Sequence, residues 1–188
     1  IDASGLDCVD IGASTGGFTQ ALLARGARRV AAVDVGYGQL AWGLRNDPRV
    51  LVLERTNARY LTTEDVGWQA DLLTADASFI SLRLLLGNLR RLIKDDGRII
   101  ALVKPQFEVG RERVGKGVVR DPALHSEVLR EIVSFAEGKA GLFVSGAAYS
   151  PIRGPEGNIE FILLMSARHD ASHGIDFDSL VREAHETL

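Results

Sequence analysis

The sequence predicts an α/β protein, with a mostly parallel seven-stranded sheet, helices on both faces and an antiparallel last strand. Three observations predict it. Short apolar runs alternate with amphipathic stretches along the 188 residues. A glycine-rich turn, DIGASTGGF at Asp10–Phe18, joins the first run to a helical stretch. The connection between the last two runs, SPIRGPEGN at Ser150–Asn158, is too short and too rich in Gly and Pro for a crossover helix. It reads as a hairpin-like reversal, which turns the final strand around.

The elements follow in order. Leu6–Ile11 is a β-like apolar run, and Gly17–Arg25 carries helical spacing through Phe18, Ala21, Leu22 and Leu23. Arg29–Val35 is a second strand, and Gln39–Asn46 a short helix stopped by Asp47 and Pro48. Val50–Glu54 and Leu72–Asp76 are the third and fourth strands. Leu82–Lys94 is helical and is expected to end at Asp95-Asp96-Gly97, before a fifth strand at Arg98–Val103. Pro122–Glu137 is a long helix with Asp121 as its N-cap. Leu142–Tyr149 and Ile159–Met165 are the last strands, and Phe177–Thr187 a terminal helix. No repeat or linker divides the chain, so residues 1–188 are expected to form one domain.

Composition narrows the function classes. With 46% hydrophobic and 25% charged residues this is an ordinary globular composition, without an apolar run long enough for a membrane span. The single cysteine, Cys8, lies in an apolar run and forms no internal pair, which fits a reducing cytoplasm. No His/Cys cluster has zinc-ligand spacing, so no metal is expected. A net charge of −3 argues against a free-standing nucleic-acid binder, but not against an enzyme that touches RNA around its active site.

The turn after the first strand is a cofactor candidate. Its residues are Asp10, Gly12, Ala13, Ser14, Thr15, Gly16, Gly17 and Phe18. The glycines are expected to let backbone approach a ligand, and the helix that follows offers unpaired N–H groups. Asp34 ends the second strand, where it can hold two ribose hydroxyls, with Val35 beside it. The G-x-G-x-x-G spacing of dinucleotide sites is absent, and Asp10 would repel a pyrophosphate while welcoming a methionyl amino group. S-adenosylmethionine is therefore the expected cofactor. Three further polar residues sit at strand ends along the same edge: Asp76, Lys104 and Glu160. Because the last strand is antiparallel, Glu160 at its start can meet the other two in one cleft. Singly, each has a bland alternative as a turn cap, a snorkelling lysine or an exposed strand residue.

The segments Asp10–Thr19, Ala75–Leu82, Leu102–Glu108 and Gly154–Phe161 resemble those of the TlyA-type hemolysin/FtsJ-like rRNA 2'-O-methyltransferases. The similarity extends to Val33–Leu44 (VDVGYGQLAWGL), Leu44–Pro48, Thr56–Arg59 and Gly117–Asp121. It implies a Rossmann-like class I methyltransferase fold, a cofactor site that includes Asn57 and Asp76, and a Lys-Asp-Lys-Glu tetrad. Asp76, Lys104 and Glu160 match the last three members. The first lysine lies upstream of the cofactor turn in such proteins, after an RNA-binding domain of S4 type. Nine residues precede Asp10 here and none is lysine. The resemblance thus implies that this chain alone binds cofactor but transfers methyl groups weakly or not at all. It also implies rRNA or ribosomal subunits as partners, cytidine as the target and a cytoplasmic location.

In the expected chemistry Lys104 either accepts the 2'-hydroxyl proton or stabilises the developing alkoxide, while Asp76 and Glu160 orient it. The segment from Lys104 to Arg120 holds five basic residues against two acidic ones. Arg111, Arg113, Lys116 and Arg120 are its candidate RNA contacts, and Gly110, Gly115 and Gly117 are expected to let it move over a substrate. Three rivals remain open from sequence. An N-methylating enzyme is disfavoured because Asp76-Ala-Ser-Phe stands where such enzymes carry an Asn/Asp-Pro-Pro-Tyr-type motif. A membrane-active hemolysin lacks a cationic amphipathic helix. The third is a cofactor-binding module without activity.

Overall fold

The computed structural model describes residues 2–115, 117–168 and 174–188. Among them, seven strands form one sheet in the order β3-β2-β1-β4-β5-β7-β6. They are β1 (Asp7–Ile11), β2 (Arg29–Val33), β3 (Val50–Leu53), β4 (Ala70–Ala75), β5 (Ile93–Val103), β6 (Phe143–Tyr149) and β7 (Phe161–Ser166). The first five run parallel. β7 runs antiparallel to β5 on one side and β6 on the other, as the reversal at Ser150–Asn158 requires.

Alternate residues of the buried strands face opposite layers. Val9, Ala31 and Leu73 join α4 (Arg83–Leu92), α6 (Pro122–Phe135) and α7 (Phe177–Thr187) in one cluster. Cys8, Val30 and Leu72 join Leu22 and Leu23 of α1 (Gly17–Ala24) in another. Both faces are thereby covered, which is why the central strands read as continuous apolar runs rather than alternating ones.

The α4–β5 connection differs from expectation. α4 ends at Leu92, and pairing with β4 begins at Ile93, breaks, and resumes at Arg98. The Asp95-Asp96-Gly97 turn is thus a bulge between two stretches of pairing rather than a helix stop. Ile93 is fully buried, and Lys94 is drawn to Asp71 at 2.6 Å, which fixes the early start. α2 (Trp42–Arg45) is shorter than expected. Two short helices were not anticipated. In α3 (Thr63–Val66), Thr62 and Asp65 form a reciprocal capping box. α5 (Pro105–Glu108) begins on a proline, whose missing N–H costs nothing in a first turn.

Polar clasps hold the loops that carry the site. Asn88 on α4 donates from Nδ2 to the carbonyls of Ala58 and Leu61, each at 2.8 Å, and pins the loop after β3. Asn158 accepts from Val119 N at 3.1 Å and donates to Gly117 O at 3.0 Å, joining the segment before α6 to the start of β7. At the opposite edge of the sheet, Asp7 accepts paired hydrogen bonds from both Arg28 and Arg29. Those bonds, Arg29's first, hold its carboxyl well below the usual range.

A two-histidine relay ties α7 down. His125 Nε2 lies 3.1 Å from Val119 O, and its Nδ1 lies 3.0 Å from His185 Nε2. A carbonyl only accepts, so His125 Nε2 carries the hydrogen. His125 Nδ1 must then accept from His185 Nε2–H. His125 is fully buried, and desolvation pushes it down to about 4 from 6.5. The unfolded chain therefore binds more protons between those values. The relay's contribution is complete above about pH 6.5 and is lost as pH falls toward 4. In urea unfolding, taking the protein from about pH 7 to about pH 5 should cost roughly 2 kcal/mol through this group. A His125→Asn protein should lack that component; an equal pH slope in both would refute the relay.

Candidate active site

The chain reverses its direction of travel across the sheet between β1 and β4, where open α/β sheets gather ligands at the carboxyl edge. A cavity of about 440 Å3 opens there. Gly12 and Ser14 line it after β1, Asp34 and Val35 after β2, Asn57 after β3 and Asp76 after β4. Asp34 is fixed by two backbone amides, Ser14 N to Oδ2 at 2.8 Å and Gly36 N to Oδ1 at 2.7 Å. Its remaining lone pairs can accept from a vicinal diol. Asn57 Oδ1 is used by Arg59 N at 3.1 Å, which leaves its Nδ2 to donate. Together with apolar walls at Val35 and Ile80, this set suits a nucleoside.

Asp10, Ala13, Thr15, Gly16, Gly17 and Phe18 do not line this cavity. Asp10 is fully buried, with Thr19 Oγ1 donating to Oδ2 at 2.7 Å and Thr74 Oγ1 to Oδ1 at 2.8 Å. Burial pushes its carboxyl up, with the threonine hydrogen bonds opposing. It bolts α1 and β4 to β1 beneath the turn. Two glycines likewise serve the chain itself. A Cβ on Gly12, whose φ is +78°, would lie 2.2 Å from the backbone oxygen of Asp76. One on Gly16 would lie 2.2 Å from Leu44 Cδ1, against the residues around α2.

The structure brings Asp76, Lys104 and Glu160 together. Lys104 is only 9% exposed, and its Nζ lies 2.5 Å from Asp76 Oδ1. The same Nζ donates to Ser78 Oγ at 3.0 Å. Glu160 is buried, and Gln106 Nε2 reaches its Oε1 at 3.5 Å. Desolvation raises the Glu160 carboxyl above the usual range, and the charge of Lys104 opposes the rise. A Cβ on Gly154 would fall 2.2 Å from Glu160 Oε1, so only glycine leaves that carboxylate its place.

Glu108 holds the floor of this site. Its Oε1 accepts from Leu82 N and its Oε2 from Ser81 Oγ, both at 2.6 Å. Arg83 adds a contact to Oε2 at 3.5 Å. Burial raises this carboxyl too, against those partners. The clasp binds α5, directly after Lys104, to the segment directly after Asp76.

The model of the FtsJ-like methyltransferases matches residues 1–167. The chain belongs to the FtsJ-like methyltransferase family. It is 52% identical over 171 residues to the 16S/23S rRNA (cytidine-2'-O)-methyltransferase TlyA of Mycobacterium tuberculosis, covering 90% of this chain and 63% of that protein. It is 49% identical over 187 residues to YqxC of Bacillus subtilis, named as an rRNA methyltransferase, covering 96% of this chain and 66% of the relative. The FtsJ-like chain thus spans just under two thirds of these relatives. A solved structure from Streptococcus thermophilus that carries a hemolysin name superposes with a TM-score of 0.93 at 42% identity, over all of this chain and 69% of that one. S-adenosylmethionine is the cofactor of such methyltransferases, and the cavity's donor set fits it. Among the described residues, no helix is long and apolar enough to cross a membrane.

The predicted RNA contacts of the FtsJ-like chain fare unequally. Arg113 is engaged by Glu127 through two hydrogen bonds of 2.6 and 2.7 Å. Arg120 is exposed. Arg111 begins a 3-10 turn at Arg111–Arg113, and Lys116 lies outside the described residues. Sequence reasoning missed Ser78, Gly154 and Glu108 as site-shaping residues, although all three lie inside the quoted motifs. Their roles depend on which segments face each other, and no single segment records that.

Gly154→Ala provides a direct check of the Glu160 placement. It should lower methyl-transfer activity at least tenfold, comparable to losing a catalytic contact, while cofactor affinity by calorimetry stays within twofold. Unchanged activity would show that Glu160 tolerates displacement.

Proposed function

We propose that the chain is the catalytic domain of an enzyme that methylates the 2'-hydroxyl of cytidine in ribosomal RNA. The observation that carries this is the Asp76–Lys104–Glu160 cluster, of which Asp76 lines the nucleoside-type cavity and Lys104 and Glu160 lie behind it, in a chain half identical to a cytidine-2'-O-methyltransferase. Ribosomal RNA as the substrate also supports a cytoplasmic location.

When bound, S-adenosylmethionine supplies an electrophilic methyl group on a sulfonium. Asp34 would accept from the hydroxyls of its ribose, and Asn57 and Val35 would hold its base. Lys104 donates an N–H from Nζ to the substrate O2' and turns a lone pair of that oxygen toward the methyl. Asp76 keeps Nζ in place through the 2.5 Å pair. Transfer would break the methyl–sulfur bond, the electron pair leaving on a neutral thioether, and would make the O2' proton acidic. Glu160, made more basic than a solvated carboxylate by burial, is suited to receive it. The ammonium meanwhile offsets the negative charge on O2'.

Of Arg113 and Arg120, the predicted contacts whose side chains are described, Arg120 is exposed and has no ion-pair partner among the described residues. Arg113 contributes less, because Glu127 already offsets its charge.

Three measurements test the reading in the full-length protein. Lys104→Ala should abolish transfer to ribosomal subunits, a loss of at least a hundredfold, without changing cofactor affinity; an active variant would overturn the mechanism. Asp34→Ala should weaken cofactor binding by about 1–3 kcal/mol, and unchanged affinity would remove Asp34 from the site. Arg120→Ala should reduce the slope of RNA affinity against salt by about one, and Arg113→Ala by less; equal slopes in both variants would return Arg120 to a solvated surface.

A further inference from the structure

Lys104 is held by two groups, an ion-pair partner and a hydrogen-bond acceptor, and only the first, Asp76, belongs to the cluster read from the sequence. The other is Ser78 Oγ, at 3.0 Å from Nζ. Asp76 and Ser78 lie two residues apart on the segment after β4, and both line the cavity. The backbone explains how they converge. Phe79 has a φ of +62°, a left-handed conformation that a non-glycine residue seldom adopts. The chain therefore turns sharply just beyond Ser78. The Phe79 ring is sent outward, 90% exposed, against Phe107 at a centroid distance of 5.1 Å. Glu108 holds the far end of the segment through Ser81 and Leu82. The Ser78 hydroxyl is thereby kept beside the lysine.

We infer that Ser78 is a positioning residue for Lys104, fixing the direction of the N–H that meets the substrate O2'. A charged amine has three N–H bonds. Ser78 accepts one of them, while Asp76 holds the ammonium as an ion pair without a directed hydrogen bond to Oδ1. With the ion pair alone, Nζ could turn about the contact and present any of its hydrogens. Ser78 removes that freedom, and as a neutral acceptor it does so without adding a second negative charge. Its oxygen accepts from Nζ, so its own O–H is left to donate elsewhere. Orientation of this kind acts on the rate of the chemical step more than on ground-state binding.

This inference rests on the assignment of Lys104 under the proposed function, and the experiment separates the two. Ser78→Ala, Ser78→Thr and Lys104→Ala would be compared in the full-length protein acting on ribosomal subunits. Ser78→Ala should lower kcat about tenfold, the effect of one lost hydrogen bond. The KM for RNA and the cofactor Kd should stay within about twofold, and the pH profile of kcat should be displaced. Ser78→Thr keeps the hydroxyl and should recover most of the rate with the original profile. A Ser78→Ala enzyme with unaltered kcat and pH profile would overturn the inference. So would a threonine variant as defective as the alanine one, because shape rather than the hydroxyl would then matter. An active Lys104→Ala enzyme would instead bring down the reading beneath it.

Discussion

Residue 12 has no room for a side chain. The backbone carbonyl of Asp76 occupies the space that a Cβ would need, and Asp76 N donates to Ile11 O at 2.8 Å. The ends of β1 and β4 are pressed together by this contact at the switch point of the sheet. Much of the site depends on it. The turn after β1 carries Ser14, whose N–H fixes Asp34. The segment after β4 carries Asp76 and Ser78, which hold Lys104. Close approach of the two strands makes one cavity out of a nucleoside-holding wall and a proton-handling end.

Electrostatics then set the character of that end. Lys104 is nearly buried, and an unpaired buried ammonium would be expensive. The short contact to Asp76 and the bond to Ser78 offset that cost and tie the nitrogen to two residues that line the cavity. Glu160 stands close by, kept there by the missing side chain of Gly154. Burial favours the protonated form of Glu160, and the charge of Lys104 opposes it. Asp10 is a different case. It is equally polar and more deeply buried, but both its oxygens are consumed by Thr19 and Thr74, so it acts as a bolt rather than a reagent.

The site is assembled from loops, and loops need anchors. Asn88 on α4, Glu108 on α5 and Asn158 in the loop before β7 each bind backbone groups of a connecting segment. Such side-chain clasps replace the ladder hydrogen bonds that a loop lacks. They explain how a 440 Å3 cavity rimmed by irregular chain keeps its shape around groups that must align within an ångström.

Several features were legible in the sequence because they are local. Apolar period and turn chemistry gave the strand–helix alternation and the reversal before β7. The polar ends of β2, β4 and β5 marked Asp34, Asp76 and Lys104 as candidates at one sheet edge. The capping box at Thr62 and Asp65 was equally local, and only its brevity hid α3. What the tertiary structure alone decided was which groups face one another. The glycines of the first turn looked like room for a ligand, yet Gly12 and Gly16 make room for Asp76 and Leu44. Asp10 looked like a ligand contact and lies in the core. Arg113 looked like a free cation and is engaged by Glu127. Ser78 and Glu108 looked incidental and hold the site. Periodicity along a chain encodes which face of an element is buried. The partner of a polar side chain is set by segments tens of residues away, once the sheet order has brought them together.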